Sequence, residues 1–137
     1  MTAKDYLKQA RRLDAMIHSR LREIDYWKDL SSGVSSVNYG GMPHNPNRPT
    51  EAPFVRCVEK ISDIQRDIEK KVAVLISLRE EINEQIDLLD SVEEQMLLRY
   101  RYIDGLTWDE IERLMNVSER TAFRIHGNAL AHFSVPH

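Results

Sequence analysis

The chain has 137 residues, of which 30% are charged and 7% aromatic, and its formal net charge is -3. This length suffices for one domain, or for a small domain carried on an elongated helical element. With only five Gly and five Pro residues, the composition favours helices over a sheet-rich fold. The negative charge argues against a general nucleic-acid coating protein, because non-specific affinity comes mainly from phosphate neutralisation. Any DNA binding is therefore expected to be local and dimeric.

Residues 3–30 predict an amphipathic helix that starts near Thr2, because apolar side chains recur every three or four positions with charges between them. These apolar positions are Leu7, Ala10, Leu13, Ile17, Leu21, Ile24 and Trp27. Ser, Gly and Pro then become frequent in residues 31–53, which predict a long loop. We interpret this loop as a flexible connector, with a functional arm as the alternative.

The longest regular segment starts at Phe54, where alternating steps of four and three residues predict a coiled-coil helix roughly 50 Å long. The stripe comprises Phe54, Val58, Ile61, Gln65, Ile68, Val72, Leu75, Arg79, Ile82, Ile86 and Leu89. The first helix could fold back antiparallel over part of this stripe and a second copy could cover the rest, so we expect a homodimer. Gln65 and Arg79 either fix the register or lie at the stripe's edge while Ile64 and Leu78 pack, and we favour the edge position.

A new helix is predicted after Ser91, which forms a capping box with Glu94. Its apolar face is expected to contain Val92, Met96, Leu97, Tyr100 and Ile103. The pair Asp104-Gly105 supplies a helix stop.

Two short helices joined by a tight turn follow. Thr107 and Glu110 predict a second capping box, ahead of a helix whose apolar side is Trp108, Ile111, Leu114 and Met115. In the turn, Asn116 tolerates a left-handed backbone, Val117 can fill the angle between the helices, and Ser118 can cap the next helix. A turn of this length is the one that a helix-turn-helix requires.

The second helix, at about residues 118–132, is expected to act as a recognition helix in the DNA major groove. Its inward side is Ala122, Ile125, Ala129 and Phe133, and its outward side is Glu119, Arg120, Phe123, Arg124, His126 and Asn128. Arg side chains can grip guanine O6 and N7, a Glu can accept from cytosine N4, and a Phe can touch a thymine methyl group. The predicted DNA-binding residues are Ser118, which can hold a phosphate, with Glu119, Arg120, Phe123, Arg124 and Asn128. The alternative is a solvated helix face with Phe123 in the core.

From Glu94 to Phe133 the chain resembles region four of bacterial sigma factors. The matching pieces, in order, are residues 97–102, 106–111, 117–121 and 129–130. With its long helix and loop, the whole chain is similar to small prophage proteins of Gram-positive bacteria related to the ArpU and RinA-type regulators of late phage transcription. The resemblance implies DNA binding through the first turns of the second helix. Two departures are Gly127, where an Ala would be usual, and the absence of Lys after Lys71.

We therefore expect an all-α protein: a long antiparallel helical hairpin, or coiled-coil stem, in residues 1–90, followed by a sigma region-four-like helix-turn-helix in residues 91–137. The expected function is sequence-specific transcription regulation of phage origin, with double-stranded DNA and RNA polymerase as candidate partners. A DNA-packaging protein of the small-terminase type is one alternative. An RNA-polymerase-binding adaptor without DNA contact is the other.

Enzymatic, cofactor and membrane functions are not expected. The histidines at 18, 44, 126, 132 and 137 have no metal-site spacing, and the consecutive acids Glu80-Glu81 and Glu93-Glu94 point about 100° apart on a helix. Cys57 is the only cysteine, and no window approaches the roughly 18 apolar residues of a membrane span. Polar residues follow Met1 where a signal peptide would be apolar, so a cytoplasmic protein is expected.

Overall fold

The computed structural model describes residues 1–37 and 51–136, and the side chains of residues 1–33 and 52–136. The described segments are all-helical, as the composition predicts, and contain no strand. In chain order they form α1 (Ala3–Val37), α2 (Glu51–Asp87), α3 (Val92–Leu98), a π-helix (Arg99–Ile103), α4 (Trp108–Met115) and α5 (Glu119–His132).

Both long helices extend into the segment predicted as a loop. Helix α1 starts where Thr2 Oγ1 accepts a hydrogen bond from the Asp5 backbone N–H at 3.1 Å, and it continues to Val37. The prediction of a loop from residue 31 is wrong there, because each Ser or Gly weakens a helix by only about 1 kcal/mol or less. Pro53 lies in the first turn of α2, where a missing N–H costs no helical hydrogen bond. The remainder of the predicted loop, with His44, lies outside the described residues, as does His137.

The chain divides into two compact units, which are described separately. The terminal unit contains residues 1–14 and 73–137, and the middle unit contains residues 15–72. The sequence division at residue 90 does not coincide with these units, because the beginning of α1 and the end of α2 belong with the C-terminal helices. Independent folding of residues 91–137 stays a prediction.

In the middle unit, α1 and α2 contact each other through apolar and charged side chains. Ile17, Ile24, Cys57 and Ile64 are its buried apolar residues. Asp67 of α2 accepts from Arg20 Nε of α1 at 3.0 Å and from Lys71 Nζ at 2.7 Å. Exposed ion pairs contribute little, so the apolar contacts supply most of the stability of this unit.

The buried stripe of α2 differs from the predicted one in its first half. Phe54, Val58 and Val72 were expected to pack, yet they are exposed. The buried residues of the segment are Cys57, Ile64, Leu75, Leu78, Ile82, Ile86 and Leu89. Gln65 and Arg79 were expected at the edge of the stripe, with Ile64 and Leu78 packing beside them. This prediction is confirmed, because Ile64 and Leu78 are buried. A shift of one residue rotates the buried side of a helix by about 100°, which leaves part of the predicted stripe uncovered.

The terminal unit is built around α5 and includes the first turns of α1. Its buried apolar residues are Tyr6, Leu7, Ala10, Leu75, Leu78, Ile82, Ile86, Leu89, Leu97, Leu98, Tyr102, Ile111, Ala122, Ile125, Ala129 and Phe133. The rings of Tyr6 and Phe133 have their centroids 5.9 Å apart. Residues from both ends of the described chain therefore share one core.

Helix α3 begins as predicted, because Ser91 Oγ accepts from the Glu94 backbone N–H at 3.3 Å. In a full capping box, the Glu94 side chain would also accept from the Ser91 backbone N–H. The buried Glu94 carboxylate instead lies 2.8 Å from Nδ1 of His132. The predicted apolar face is also wrong at Val92 and Met96, which are exposed. Leu97 packs as predicted, and Leu98 and Tyr102 are buried as well. Tyr102 lies in a π-helical turn, in which the backbone N–H of Asp104 donates to the carbonyl of Arg99.

Candidate functional site

The sequence-predicted site depends on α4, the turn after it and α5. Helix α4 begins with the predicted capping box: Thr107 N–H donates to Glu110 Oε2 at 2.9 Å, and Glu110 N–H donates to Thr107 Oγ1 at 3.3 Å. Ile111 and half-buried Met115 face inward, as does part of Trp108, whereas Leu114 is 58% exposed and was wrongly placed on the apolar side.

The turn between α4 and α5 has the predicted local chemistry. Asn116 adopts the left-handed conformation, with φ 55° and ψ 51°, and ends α4. Val117 is half-buried, and Ser118 Oγ accepts from the Thr121 backbone N–H at 3.2 Å to start α5. These two end groups fix where α5 begins and therefore which side chains it turns outward.

The inward side of α5 is confirmed by burial. Ala122, Ile125, Ala129 and Phe133 are each 6% exposed or less. Small residues at two of these positions let α5 lie close to its neighbours. Packing of these four residues in the core therefore leaves the opposite side of α5 exposed to solvent.

The six predicted site residues are all exposed. Arg120 and Arg124 are four residues apart, so their side chains share the outward side of α5. Neither guanidinium forms an ion pair with any described residue. Gly127 continues the same side one turn later, and a Cβ added there would meet nothing within 4 Å. The outward side of α5 is therefore open, cationic at its start and free of bulk farther along.

Phe123 was predicted either to face outward or to lie in the core, and its ring is partly exposed and partly packed. Its ring is 46% exposed, and its centroid lies 5.0 Å from that of Trp108. The Arg101 guanidinium lies 4.8 Å from the Trp108 ring centroid and donates to the Leu106 carbonyl at 3.1 Å. Arg101 is thus occupied within the unit. Arg99 is occupied as well, because it donates to Asn83 Oδ1 at 2.8 Å.

His126 was expected on the outward side of α5, and this prediction is wrong. The ring is 8% exposed, and its Nε2 lies 2.8 Å from the Tyr102 hydroxyl. Residue 126 follows buried Ile125 and lies four residues after buried Ala122, so the helix turns it toward the core. Burial, together with the positive charges of Lys4 and Arg101, lowers the pKa of His126 to about 4. The ring is neutral near pH 7, and it serves packing.

Carboxylates surround the junction of α4 and α5. Partial burial raises the pKa of Glu112, and the charges of Asp109 and Glu119 raise it further. A phosphate approaching the junction from the side of Asp109 and Glu112 would meet like charge. The outward side around Arg120 and Arg124 is therefore the better approach for an anionic ligand.

Basic residues at the start of α1 are a contribution that was missed from the sequence. Lys4 is close enough to influence the pKa of His126, and Arg11 lowers that of Arg101 after the larger effect of burial. Lys4, Lys8 and Arg11 follow one another at helical spacing, so the signal was present. Their place beside the C-terminal helices depends on the long-range contact of Tyr6 with Phe133, which spacing does not reveal.

Among the described residues, no group of three or more His, Cys, Asp or Glu could hold a metal ion. No helix within the described ranges is long and apolar enough to cross a membrane.

Comparison with known proteins defines a family without an assigned activity. A family model described as "Protein of unknown function (DUF1492)" matches residues 57–134. This match covers more than half of the chain, and the chain therefore belongs to the DUF1492 family. Neither the curated proteins nor the solved structures contain a match.

Proposed function

We propose that the chain is a sequence-specific DNA-binding transcription regulator that inserts α5 into the major groove. The observation that carries this proposal is the pair of exposed guanidinium groups of Arg120 and Arg124, which have no ion-pair partner among the described residues. They follow a left-handed turn residue and an N-cap, at the start of a helix whose other side is buried. Recognition helices use this N-terminal half to contact base edges.

Each outward residue of α5 has a chemical role in this proposal. Arg120 and Arg124 contact guanine O6 and N7, and Phe123 contacts a thymine methyl group. Glu119 accepts from cytosine N4, while Asn128 reaches a base or the backbone farther along the groove. Ser118 and the first backbone N–H groups of α5 hold a phosphate. Gly127 lets the helix approach the DNA backbone closely, because it presents no side chain on the outward side.

The wider assignment rests on resemblance. The proposed architecture is an antiparallel hairpin of α1 and α2 that carries a sigma region-four-like helix-turn-helix. The proposed origin is a prophage, with the ArpU and RinA-type regulators as relatives in function. The proposed role is activation or accessory regulation of transcription, with RNA polymerase as a further partner.

The test is DNA binding by the full chain. Bound oligonucleotides are selected from a random pool, and the affinity for the selected duplex is measured by fluorescence anisotropy. Arg120→Ala and Arg124→Ala should each weaken specific binding about tenfold or more, since a bidentate Arg-guanine contact is worth about 1–3 kcal/mol. Arg22→Ala removes the same charge from an exposed position of α1 in the middle unit and should leave specific affinity within about twofold.

Circular dichroism of the three variants confirms that each one is folded. If the selected duplex binds wild type and both α5 variants equally, α5 is not the recognition helix. If no duplex is selected at all, the chain is not a sequence-specific DNA-binding protein.

One observation favours a second candidate, the RNA-polymerase-binding adaptor without DNA contact. Residues 91–137 contain five Arg but seven Asp and Glu, and Asp109, Glu112 and Glu119 lie together at the α4-α5 junction. A DNA-binding protein loses affinity steeply as salt rises, because counterions are released on binding. A protein that binds RNA polymerase, and shows no salt-dependent DNA affinity, fits the adaptor. The alternative of a DNA-packaging protein of the small-terminase type requires a ring of many subunits. Measuring the mass of the assembly tests it, because a monomer or dimer would contradict a ring.

A further inference from the structure

A cluster of basic side chains lies on one side of the first turns of α1. Lys4, Lys8 and Arg11 fall within about 60° of one another around the helix, because they are spaced four and three residues apart. Lys4 is exposed, and the other two are half-buried. None of the three forms an ion pair with a described residue. Asp5 is close to Lys8, but the hydrogen bond from Thr2 is the largest cause of its lowered pKa. The three positive charges are therefore largely uncompensated.

The packing of α1 in the terminal unit places this basic cluster beside the first residue of α4. The charge of Lys4 helps to lower the pKa of His126, after the larger effect of burial. Arg11 has the same effect on the pKa of Arg101. Both His126 and Arg101 contact the Trp108 ring: the ring centroids are 4.9 Å apart, and the guanidinium carbon lies 4.8 Å from the Trp108 centroid. The basic cluster therefore lies near the residue at which α4 begins.

The positions of these charges are unfavourable within the folded chain. Positive side chains in the first turns of a helix oppose its macrodipole, which favours acidic residues there. Arg11 also lies near the guanidinium group of Arg101, and like charges repel each other. An anion bound at the basic cluster would relieve both interactions. The cluster thus has the electrostatic character of an anion-binding surface.

The C-terminal helices offer few cations of their own to a DNA backbone. Residues 73–137 contain twelve Asp and Glu, six Arg and no Lys, whereas residues 1–14 contain four Lys and Arg and only two Asp. Arg99 and Arg101 are already occupied within the unit. The carboxylates at the junction of α4 and α5 increase this deficit. Because phosphate contacts supply a large share of the affinity for DNA, cations are needed from another part of the same unit.

We propose that Lys4, Lys8 and Arg11 bind phosphates of the DNA backbone beside the groove that α5 enters. This role rests on the DNA binding proposed above and adds a second contact surface to it. In a helix-turn-helix, the first helix crosses the backbone while the second lies in the groove. Helix α4 is the first helix here, so cations beside its first residue meet the strand that it crosses. Phosphate contacts fix the position of the protein, and they would therefore set the register of Arg120 and Arg124 on the bases.

The salt dependence of DNA binding by the full chain tests the basic cluster. Affinities for the selected duplex and for a duplex of unrelated sequence are measured by fluorescence anisotropy at several salt concentrations. Lys4→Gln, Lys8→Gln and Arg11→Gln should each weaken binding to both duplexes by a similar factor, about threefold or more at about 100 mM salt. Each should also reduce the slope of log affinity against log salt by about 1.

Two controls separate charge from other effects. Lys28→Gln removes the same charge from an exposed position of α1 in the middle unit, and it should leave the affinity within about twofold and the slope unchanged. Arg11→Lys keeps the charge of a half-buried side chain and should retain the slope. Thermal unfolding adds a readout of structure: because the charges oppose the helix macrodipole, Lys4→Gln and Lys8→Gln should not lower the midpoint. Weaker binding that comes with a lower midpoint would mean that the cluster acts through the fold, which contradicts a phosphate contact.

The outcomes for the basic cluster and for α5 are distinguishable. If Arg120→Ala weakens specific binding while the cluster variants change neither affinity nor slope, α5 is the recognition helix and the cluster does not bind phosphate. If the cluster variants weaken binding to the unrelated duplex but no duplex is selected from the random pool, the cluster binds phosphate and sequence-specific recognition is wrong. A chain that binds neither duplex contradicts both roles. Cluster variants that weaken binding only to RNA polymerase would indicate a protein partner in place of the DNA backbone.

Discussion

The hydroxyl oxygen of Tyr102 lies 2.8 Å from Nε2 of His126, and both side chains are buried. This contact joins the π-helix to the side of α5 opposite Arg120 and Arg124. The ring planes are also stacked at 25°, with centroids 5.9 Å apart. A polar contact on the buried side of α5, in addition to apolar packing, therefore fixes the orientation of its outward side.

Lowering the pH should decrease the free energy of unfolding of the chain, because His126 is buried in its neutral form. Its pKa is about 4 in the folded chain and 6.5 in the unfolded chain, so the unfolded state takes up the proton first. The full contribution is present above pH 6.5 and is lost as the pH falls toward 4, by at most about 1.4 kcal/mol per pH unit. Urea unfolding at pH 7, 6 and 5 measures this loss. In His126→Gln the pH dependence should be shallower, and an equal slope in both proteins would contradict the assignment.

Removing the Tyr102 hydroxyl should destabilise the chain at pH 7. Tyr102→Phe leaves a buried ring nitrogen without its partner, which costs about 1–3 kcal/mol. The control is Tyr26→Phe, because Tyr26 is 58% exposed and should change the free energy of unfolding by less than about 0.5 kcal/mol. Thermal unfolding of both variants provides the comparison. Equal stability of Tyr102→Phe and wild type would show that the hydrogen bond contributes nothing.

Two glycine substitutions should have opposite effects. Gly127 lies within α5 with open space around it, so Gly127→Ala should stabilise the chain by about 0.5–1 kcal/mol. Gly105 has φ +70°, so Gly105→Ala should destabilise it by about 1 kcal/mol or more. Denaturant midpoints of the two variants reveal the signs. If DNA binding also weakens in Gly127→Ala while stability rises, the backbone approaches its ligand closely at that position.

The contact between Nδ1 of His132 and the carboxyl group of Glu94 should contribute to stability, because Glu94 is buried. Glu94 is 7% exposed, so His132→Ala should cost about 1–3 kcal/mol by leaving it unpartnered. In a Glu94→Gln background the same change should cost clearly less, because no charge is then buried. Additive losses in this double-mutant cycle would mean that the two side chains do not interact.

Asn116 should be replaceable by Gly but not by a β-branched residue. Its left-handed conformation costs about 1–2 kcal/mol for most side chains and nothing for Gly. Asn116→Val should therefore lower the thermal midpoint of unfolding, whereas Asn116→Gly should leave it within a degree or two. A tolerant response to Val would show that the turn can take another shape.

Local chemistry made the C-terminal elements predictable. The caps at Thr107 and Ser118 and the left-handed Asn116 involve residues at most three positions apart, and the structure has all three. The inward side of α5 follows from helical period alone. Whether its outward side meets DNA stays a prediction, since exposure is necessary for that contact and does not identify the ligand.

Longer-range features were beyond sequence reasoning. The buried side of α2 was misplaced by one residue in the first half of the helix, because apolar residues occupy two adjacent stripes there and only the position of α1 decides between them. The π-helix at Arg99–Ile103 has no local signal, and it changed which side chains pack before Gly105. His126 looked polar and outward, but its hydrogen-bond partner is twenty-four residues away in sequence.

The pairing of Tyr6 with Phe133 has a consequence for folding time. The two rings are 127 residues apart in sequence, so their contact closes nearly the entire chain into a loop. Contacts of such high sequence separation form late, because the entropy of closing the loop must be lost first. During translation, α1 leaves the ribosome long before its packing partner is synthesised. A nascent chain that exposes Tyr6 and Leu7 would be a substrate for chaperones until residue 133 has emerged.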